Sequence, residues 1–237
     1  MFGKRNIATY VAEFLGTGAL TLLVLSVQRS TIGVPFFVAA AAGLIVTLMS
    51  FALGGVSGGY FNPALTIGMW TARKLSTITG VIYIGAQFLG AWGAFLLYKY
   101  FVHTSLQPVG GHFTSRILVA EAVGTALFTF GFASAVYQRF NRAVSASVAG
   151  LSLMLGIIAA SSAAIGLLNP AVALGVRAWV WGTYVLGPVL GAVIGVNLYG
   201  LLFAESTGTA GTKSASAVVV KPAGRTVAKK KSAKAKK

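Results

Sequence analysis

Two asparagines that are each followed by Pro-Ala are the residues best suited to chemistry in this 237-residue sequence. The tripeptide Asn-Pro-Ala occurs at 62–64 and again at 169–171, 107 positions later. Asparagine is favoured just before a helix begins, and proline fits the first helical turn, where its missing N–H costs nothing. Each copy therefore predicts a helix start that presents a side-chain amide donor and the positive end of the helix dipole.

Both copies lie in apolar segments that glycine and proline interrupt and that are too short to cross a bilayer. A transmembrane helix needs about 20 apolar residues to cross a hydrocarbon core of about 30 Å. Six other segments meet this length: 7–27, 34–56, 78–102, 117–137, 143–166 and 180–204. Non-helical backbone at membrane depth is tolerated where it is buried or lines a wet cavity. The predicted fold class is therefore an all-α membrane protein with six transmembrane helices plus two re-entrant half-helices.

The composition excludes an ordinary soluble domain. Hydrophobic residues make up 56% of the chain and charged residues 9%, and the 30 glycines are typical of packed transmembrane helices. The sequence has no cysteine, which excludes disulfides and cysteine-ligated metals. Glu13 interrupts the first apolar run, which also lacks a small-residue cleavage site. We therefore interpret that run as a retained span rather than a signal peptide.

The two halves of the chain are related by an internal repeat. Three further blocks share residues in the same order: 12–17 with 120–125, 42–44 with 149–151, and 89–91 with 190–192. Each half holds three spans, at about 7–102 and 117–204, so the second half must enter the membrane from the opposite side. Paired interrupted segments at matching places of such an inverted repeat predict a pore or binding site at the membrane midplane.

The basic residues predict the orientation of the chain. Fifteen Lys and Arg residues fall on one side of the predicted spans and four on the other, and nine of the 19 follow Ser206. By the positive-inside rule, both termini are predicted to be cytoplasmic. Residues 1–205 form the predicted membrane body, and the Lys-rich segment 206–237 is predicted to be a disordered cytoplasmic tail. Such a tail favours contact with anionic lipid, and a nucleic-acid contact is the less favoured alternative.

The sequence resembles the aquaporins of the major intrinsic protein family from about residue 8 to residue 204. The resemblance rests on segments 12–17 and 57–66, on the second Asn-Pro-Ala, and on the Gly-Pro pair at 187–188. It implies one pore per subunit, a homotetramer in the plasma membrane, and passive flow of water or small neutral solutes through the bilayer. A secondary transporter also has inverted repeats and broken helices, but it would usually carry charged midplane residues beyond two glutamates. A membrane enzyme is a third class, but it would need a catalytic constellation, and the sequence shows no Ser/His/Asp, metal or cofactor set.

The resemblance assigns the pore to the two tripeptides and to the loops before them. The pore residues at the tripeptides are Asn62, Pro63, Ala64, Asn169, Pro170 and Ala171. The backbone carbonyls expected to form an acceptor ladder belong to Gly58, Gly59, Tyr60, Phe61, Gly166, Leu167 and Leu168. Two asparagine donors would orient a passing water molecule, which interrupts a proton-relaying chain, while the positive dipole ends repel cations.

The selectivity filter departs from the family pattern. The family places an arginine directly after the second Asn-Pro-Ala, where this chain has Val172. The other three filter positions, by their spacing from the tripeptides, are Ala42, Ile157 and Gly166. Arg177 cannot replace the arginine, because a helix would turn it about 140° away from Val172. These residues predict a wide, apolar filter that admits glycerol, urea, ammonia or peroxide along with water; a strict water channel with a diverged filter is the alternative.

Four other positions give no consistent match to either the glycerol-conducting or the water-conducting subfamily. Glycerol-conducting members pair a basic residue at the place of Arg177 with an aspartate four residues earlier, where this chain has Ala173. Tyr184 suits the water-channel pattern, and Tyr60 replaces a histidine that is common before the first tripeptide. The permeant therefore does not follow from these positions alone.

Glu13 and Glu121 are the two carboxylates within the predicted spans, one in each half. Ionisable residues inside a membrane are functional candidates by default, so a proton relay is one hypothesis. The favoured hypothesis is structural: each carboxylate accepts hydrogen bonds from the backbone of a re-entrant loop. His103 and His112 fall in the connection between the halves, and two isolated histidines do not predict a metal site.

Overall fold

The computed structural model describes residues 4–204, with side chains from Asn6 onward. The α-helices of that range are α1 (Lys4–Gln28), α2 (Pro35–Ser57), α3 (Pro63–Thr71), α4 (Thr77–Val102), α5 (Ser115–Tyr137), α6 (Arg142–Ala160), α7 (Pro170–Gly175) and α8 (Gly187–Phe203). A π-helical segment, Trp181–Leu186, runs directly into α8. The tail predicted at 206–237 lies outside the described residues and stays a prediction.

Six helical units are long and apolar enough to cross a membrane. They are α1, α2, α4, α5, α6 and the π-helical segment together with α8. The two short helices, α3 and α7, begin at Pro63 and Pro170 and interrupt the order of spans at matching places. The part of the chain between residues 4 and 204 contains no strand. These observations confirm the predicted all-α fold with six spans and two half-helices.

One predicted boundary is wrong, because the fifth span ends at Ala160 rather than at residue 166. The amide nitrogens of Ala163 and Ala164 both bond back to the carbonyl oxygen of Ala160, which turns the chain away from the helix axis. Gly166 then takes a φ of 67°, a left-handed conformation that suits glycine. Hydropathy misses this turn because residues 166–169 are buried in the bundle and are mostly as apolar as the helix before them.

The spans alternate in direction, so α1 begins on the membrane side where α8 ends, which we call the N-terminal side. On this side α2 and α5 end, and α4 and α6 begin. The short helix α3 starts inside the bundle and returns to the N-terminal side, where α4 follows it. The short helix α7 starts inside the bundle and returns to the opposite side, which also holds the connection 103–114. The two short helices therefore point away from each other with their N-termini facing.

Small residues allow the helices of the two halves to pack closely. Helix α1 packs on α4, α5 packs on α8, and α2 packs on α6 across the boundary between the halves. A Cβ placed on Gly43 of α2 would lie 2.7 Å from the carbonyl oxygen of Gly150 in α6. A Cβ placed on Gly187 would lie 2.9 Å from the carbonyl oxygen of Leu118 in α5. The bundle therefore depends on glycines at its helix crossings, as membrane helix pairs often do.

Candidate functional site: two capped short helices

Asn62 is the N-cap of α3, and its backbone is extended, with a φ of −155°. Its Oδ1 accepts hydrogen bonds from the amide nitrogens of Ala64 and Leu65, at 2.8 and 3.4 Å. Asn169 caps α7 in the same way, with its Oδ1 3.0 and 3.3 Å from the amide nitrogens two and three residues further on. Each cap uses the oxygen of the side chain and leaves the –NH2 group available to donate elsewhere.

The two asparagines are cross-linked through the loops that precede them. The Nδ2 of Asn62 donates to the carbonyl oxygen of Leu168 at 2.8 Å, and the Nδ2 of Asn169 donates to the carbonyl oxygen of Phe61 at 2.9 Å. Both asparagines are at least 98% buried. Because an –NH2 group carries two hydrogens, each asparagine keeps one donor beyond its cross-link.

The loops before the caps share an unusual backbone conformation. Phe61 and Leu168, which directly precede the asparagines, have φ values of 49° and 53°. Gly58, Gly59 and Gly166 also have positive φ, at 98°, 70° and 67°. Left-handed backbone of this kind turns the peptide units away from a helical direction. The carbonyls of Phe61 and Leu168 are already engaged by the opposite asparagine, a use that the carbonyl-ladder prediction did not include.

Glu13 holds the first re-entrant loop through both of its carboxylate oxygens. Its Oε1 accepts from the Ser57 hydroxyl at 2.6 Å and from the Tyr60 amide at 3.1 Å. Its Oε2 accepts from the Phe61 amide at 2.7 Å and from Nε2 of Gln87 at 2.8 Å. The carboxylate is fully buried, and these four donors replace the water that it has lost.

Glu121 holds the second re-entrant loop, but with fewer donors. Its carboxylate accepts from backbone amides of the loop, including those of Leu167 at 3.0 Å and Leu168 at 2.8 Å. The repeat offset of 101 that joins residue 89 to residue 190 places Pro188 where the first half has Gln87. Proline has no side-chain donor, so the second loop lacks the side-chain support that Gln87 gives the first.

The four positions predicted to form the filter are all buried and apolar. Ala42, Ile157 and Val172 are 1%, 3% and 2% exposed, on α2, α6 and the first turn of α7. Gly166 lies beside Ile157, since a Cβ on this glycine would be 3.1 Å from Cγ2 of Ile157. These positions offer a permeant no charge, no aromatic ring and no side-chain donor.

Two arginines fasten the connection 103–114 on the opposite side of the membrane. Because α7 ends at Gly175, Arg177 does not lie on a helix, and the 140° projection from Val172 is wrong. Its guanidinium donates to the carbonyl oxygen of Leu106. Arg29 donates to the carbonyl oxygen of Gln107 at 2.7 Å. Both guanidinium groups are therefore engaged by the backbone of this connection.

No sequence motif predicted several of the contacts that the site makes. Ser57 and Gln87 hold Glu13, and the one available signal was the presence of a polar glutamine within an apolar span. The histidines have no shared site: His103 ends α4 with a φ of 51°, and the described residues contain no group of three His, Cys, Asp or Glu able to hold a metal.

Comparison with known proteins agrees with this geometry. A family model described as major intrinsic protein matches residues 4–199. The chain is 31% identical over 204 residues to glycerol uptake facilitator protein-like 6 of Lactiplantibacillus plantarum, covering 78% of this chain and 93% of that protein. It is 30% identical over 226 residues to aquaporin Z of Photorhabdus laumondii, covering 84% and 95%. Among solved structures, the aquaglyceroporin of Plasmodium falciparum has a similar fold, with a TM-score of 0.69 and 19% identity over 85% of this chain and 96% of that one.

Proposed function

The chain belongs to the major intrinsic protein family, as its motifs predicted, and we propose that it conducts small neutral solutes such as glycerol or urea together with water. Members of this family are passive channels rather than enzymes. With six membrane-length helices, the chain is a multi-pass membrane channel. What it passes depends on the residues that line its pore.

The proposed pore runs between the facing caps of α3 and α7. The crossed bonds of Asn62 and Asn169 support this path, because they fix both amides at the junction and leave one hydrogen on each –NH2 group for a permeant oxygen. A water molecule held by two such donors is oriented, which interrupts proton relay, and the positive helix ends repel cations. Glu13 and Glu121 are assigned the structural role of holding the two loops.

The observation that carries the choice of permeant is the apolar character of the four filter positions. Val172 stands where the family has an arginine, so a steric and electrostatic barrier is missing there. Apolar walls do not replace the hydrogen bonds that water gives up, whereas a solute with alkyl surface loses less. The similarity to a protein named as a glycerol uptake facilitator supports the same choice.

A strict water channel with a diverged filter is the second candidate, and Tyr184, which suits the water-channel pattern, favours it. A constriction that is narrow as well as apolar would exclude glycerol by size alone.

We also propose an orientation and an assembly. The N-terminal side is assigned to the cytoplasm, with the chain in the plasma membrane as a homotetramer of four pores. In the described range the exposed basic residues on that side are Arg73, Lys74, Arg139 and Arg142. Residues 1–205 are proposed as the channel, and the Lys-rich segment 206–237 as a tail that contacts anionic lipid.

Stopped-flow light scattering on proteoliposomes tests the permeant. The entry rates of water, glycerol and urea are compared with those of empty liposomes. The proposal requires glycerol or urea flux above the empty-liposome rate, with an activation energy close to that of free diffusion. Fast water flux without solute uptake would leave a strict water channel, and uptake that an imposed pH gradient drives would indicate a transporter.

A further inference from the structure

A cavity of about 320 Å³ opens on the N-terminal side of the bundle, between α2, α5 and α6. Its wall includes Gly58 of the first re-entrant loop and Phe132, whose ring centroid lies 5.8 Å from that of Tyr60. The cavity therefore borders the loop that leads to Asn62. Its volume falls at the lower end of the range of about 300–1,000 Å³ that is typical of small-molecule sites.

The charged residue in this wall is Arg142, the first residue of α6. Its guanidinium reaches across to α2, where a Cβ on Gly55 would lie 2.7 Å from Cζ and 3.2 Å from Nε. Arg142 is exposed, and among residues 6–204 its guanidinium has no hydrogen-bond or ion-pair partner. The carboxylates in that range, Glu13 and Glu121, are fully buried and bonded to the re-entrant loops. The guanidinium therefore keeps all of its N–H donors for whatever occupies the cavity.

A second polar group in the same wall also has no partner. Ser50 is 7% exposed and lines the cavity from α2. Its hydroxyl is buried and makes no hydrogen bond within the described part of the chain. Buried polar groups are nearly always paired, and this hydroxyl is shielded from the cavity that the rest of Ser50 lines. A rotation of the serine side chain toward the cavity would give it a partner in a polar ligand.

We propose that this cavity is a solute-binding site that selects permeants by their oxygen atoms, with Arg142 as the main donor and with Ser50, after its side chain rotates toward the cavity, as a second contact. The inference rests on the proposed function, since its ligands are small neutral solutes that carry hydroxyl or carbonyl oxygens. Glycerol and urea fit this description, because their oxygens accept from a guanidinium and the Ser50 hydroxyl can donate or accept. Cations are repelled by Arg142 before they reach the re-entrant loop.

The site divides the recognition of a solute between the two sides of the pore. The positions beyond the asparagines are apolar, with Val172 in place of an arginine, whereas the N-terminal side supplies a guanidinium. A solute that enters from the N-terminal side exchanges its water for protein donors before it meets the apolar constriction. Its desolvation is thereby spread over two steps rather than concentrated at one barrier.

The experiment measures how glycerol affects water flow rather than how fast glycerol crosses. The proteoliposomes contain chloride as the only anion and glycerol at equal concentration inside and outside. An outward sucrose gradient then drives the water flow. A solute held in the cavity obstructs the single file of water, so flow in the wild type is expected to fall as glycerol rises. In Arg142→Ala the glycerol concentration that halves the flow is expected to rise about tenfold, the usual effect of losing a hydrogen bond to a charged group.

Three further variants separate an effect on glycerol binding from a steric effect on the pore. Ser50→Ala is expected to weaken the glycerol effect in the same direction, and Arg142→Lys is expected to retain part of it because charge and a donor remain. Arg139→Ala is the matched control, since Arg139 is exposed on the connection between α5 and α6, three residues before Arg142, and does not line the cavity. A purely steric role of Arg142 would change water flow equally at every glycerol concentration.

The outcomes test the proposed binding site separately from the proposal that the channel conducts glycerol or urea. If the wild type conducts water alone but glycerol still slows that water in an Arg142-dependent way, the solute-channel proposal fails and the site stands. If glycerol slows water equally in the wild type, Arg142→Ala and Arg139→Ala, or does not slow it at all, the site is overturned whatever the channel conducts.

Discussion

The side-chain amide of Asn169 donates to the backbone carbonyl of Phe61, 108 residues earlier, at 2.9 Å. The cap of one short helix is thereby tied to the loop that introduces the other, and the same bond runs in the opposite direction from Asn62 to Leu168. Each asparagine therefore performs two tasks, because its oxygen caps its own helix while its nitrogen joins the two halves. Substitution of either asparagine is therefore expected to disturb both halves of the junction.

Replacing Asn62 or Asn169 with leucine is expected to abolish flux. The change removes a cap, worth typically about 1 kcal/mol, and a cross-link, and it places an apolar side chain at the facing helix ends. Water and solute flux are measured in proteoliposomes after surface labelling has shown that the variant reaches the membrane. Asn197→Leu is the matched control, since Asn197 lies on α8 and bonds to Thr71 away from the loops. Wild-type flux in both Leu variants would rule out a pore between the two caps.

Glu121→Gln is expected to destabilise the protein more than Glu13→Gln. Glutamine keeps one acceptor oxygen and turns an –NH2 group toward a backbone amide, which leaves a buried donor unsatisfied at a cost of about 1–3 kcal/mol. Around Glu13, the Ser57 hydroxyl and the Gln87 amide can reorient to accept from that group, whereas the donors to Glu121 are backbone amides. The apparent melting temperature in detergent reports the difference, and an equal or opposite order would contradict the argument.

The same two variants test whether the glutamates carry protons. A structural role predicts that glycerol or urea uptake is indifferent to an imposed pH gradient in the wild type and in both variants. The measurement is solute uptake by proteoliposomes at equal and at unequal internal pH, with an ionophore that collapses the gradient as its control. Uptake that follows the gradient and disappears in Glu121→Gln would move the protein into the transporter class.

The glycine contacts between α2 and α6 give a prediction about stability alone. Gly150→Val is expected to lower the melting temperature and the yield of folded protein, because a Cβ there meets the Gly43 carbonyl and the Thr47 side chain. Overpacking of this kind typically costs about 1–3 kcal/mol. Gly85→Ala is the control, since a Cβ on Gly85 meets nothing within 4 Å and alanine favours the helix by about 1 kcal/mol. A Gly150→Val protein as stable as Gly85→Ala would show that this crossing tolerates a wider separation.

The architecture was predictable because its determinants are local or repeated. Membrane length fixed five of the six spans to within two or three residues at each end, and the recurring tripeptide located both short helices. The end of α6 was missed because the turn after Ala160 depends on a left-handed Gly166 and on burial of the loop, neither of which changes the hydropathy. A window of hydrophobicity cannot separate an apolar helix from an apolar loop buried beside it.

The contacts of the candidate site were less predictable because they join distant parts of the chain. Nothing in the sequence near Asn62 specifies that its amide reaches the carbonyl of Leu168. The helical projection used for Arg177 also does not apply, since it assumed a helix that ends two residues before it. Arg142 lies at the start of a span and counted only toward orientation, and its place in a cavity wall follows from the packing of α6 against α2.

Val172→Arg is expected to narrow the channel toward water. Val172 lies on the first turn of α7, 2% exposed, directly after the second tripeptide. A guanidinium there adds bulk and donors that water can use, while it obstructs the alkyl surface of a larger solute. Glycerol and urea flux should therefore fall well below the wild-type rates while water flux is kept, as measured by stopped-flow light scattering on the same preparation. Val172→Met, which adds length without charge or donors, separates bulk from polarity: it should lower solute and water flux together. If Val172→Arg leaves the ratio of solute to water flux unchanged, residue 172 does not line the constriction, and the apolar filter is the wrong explanation for the permeant.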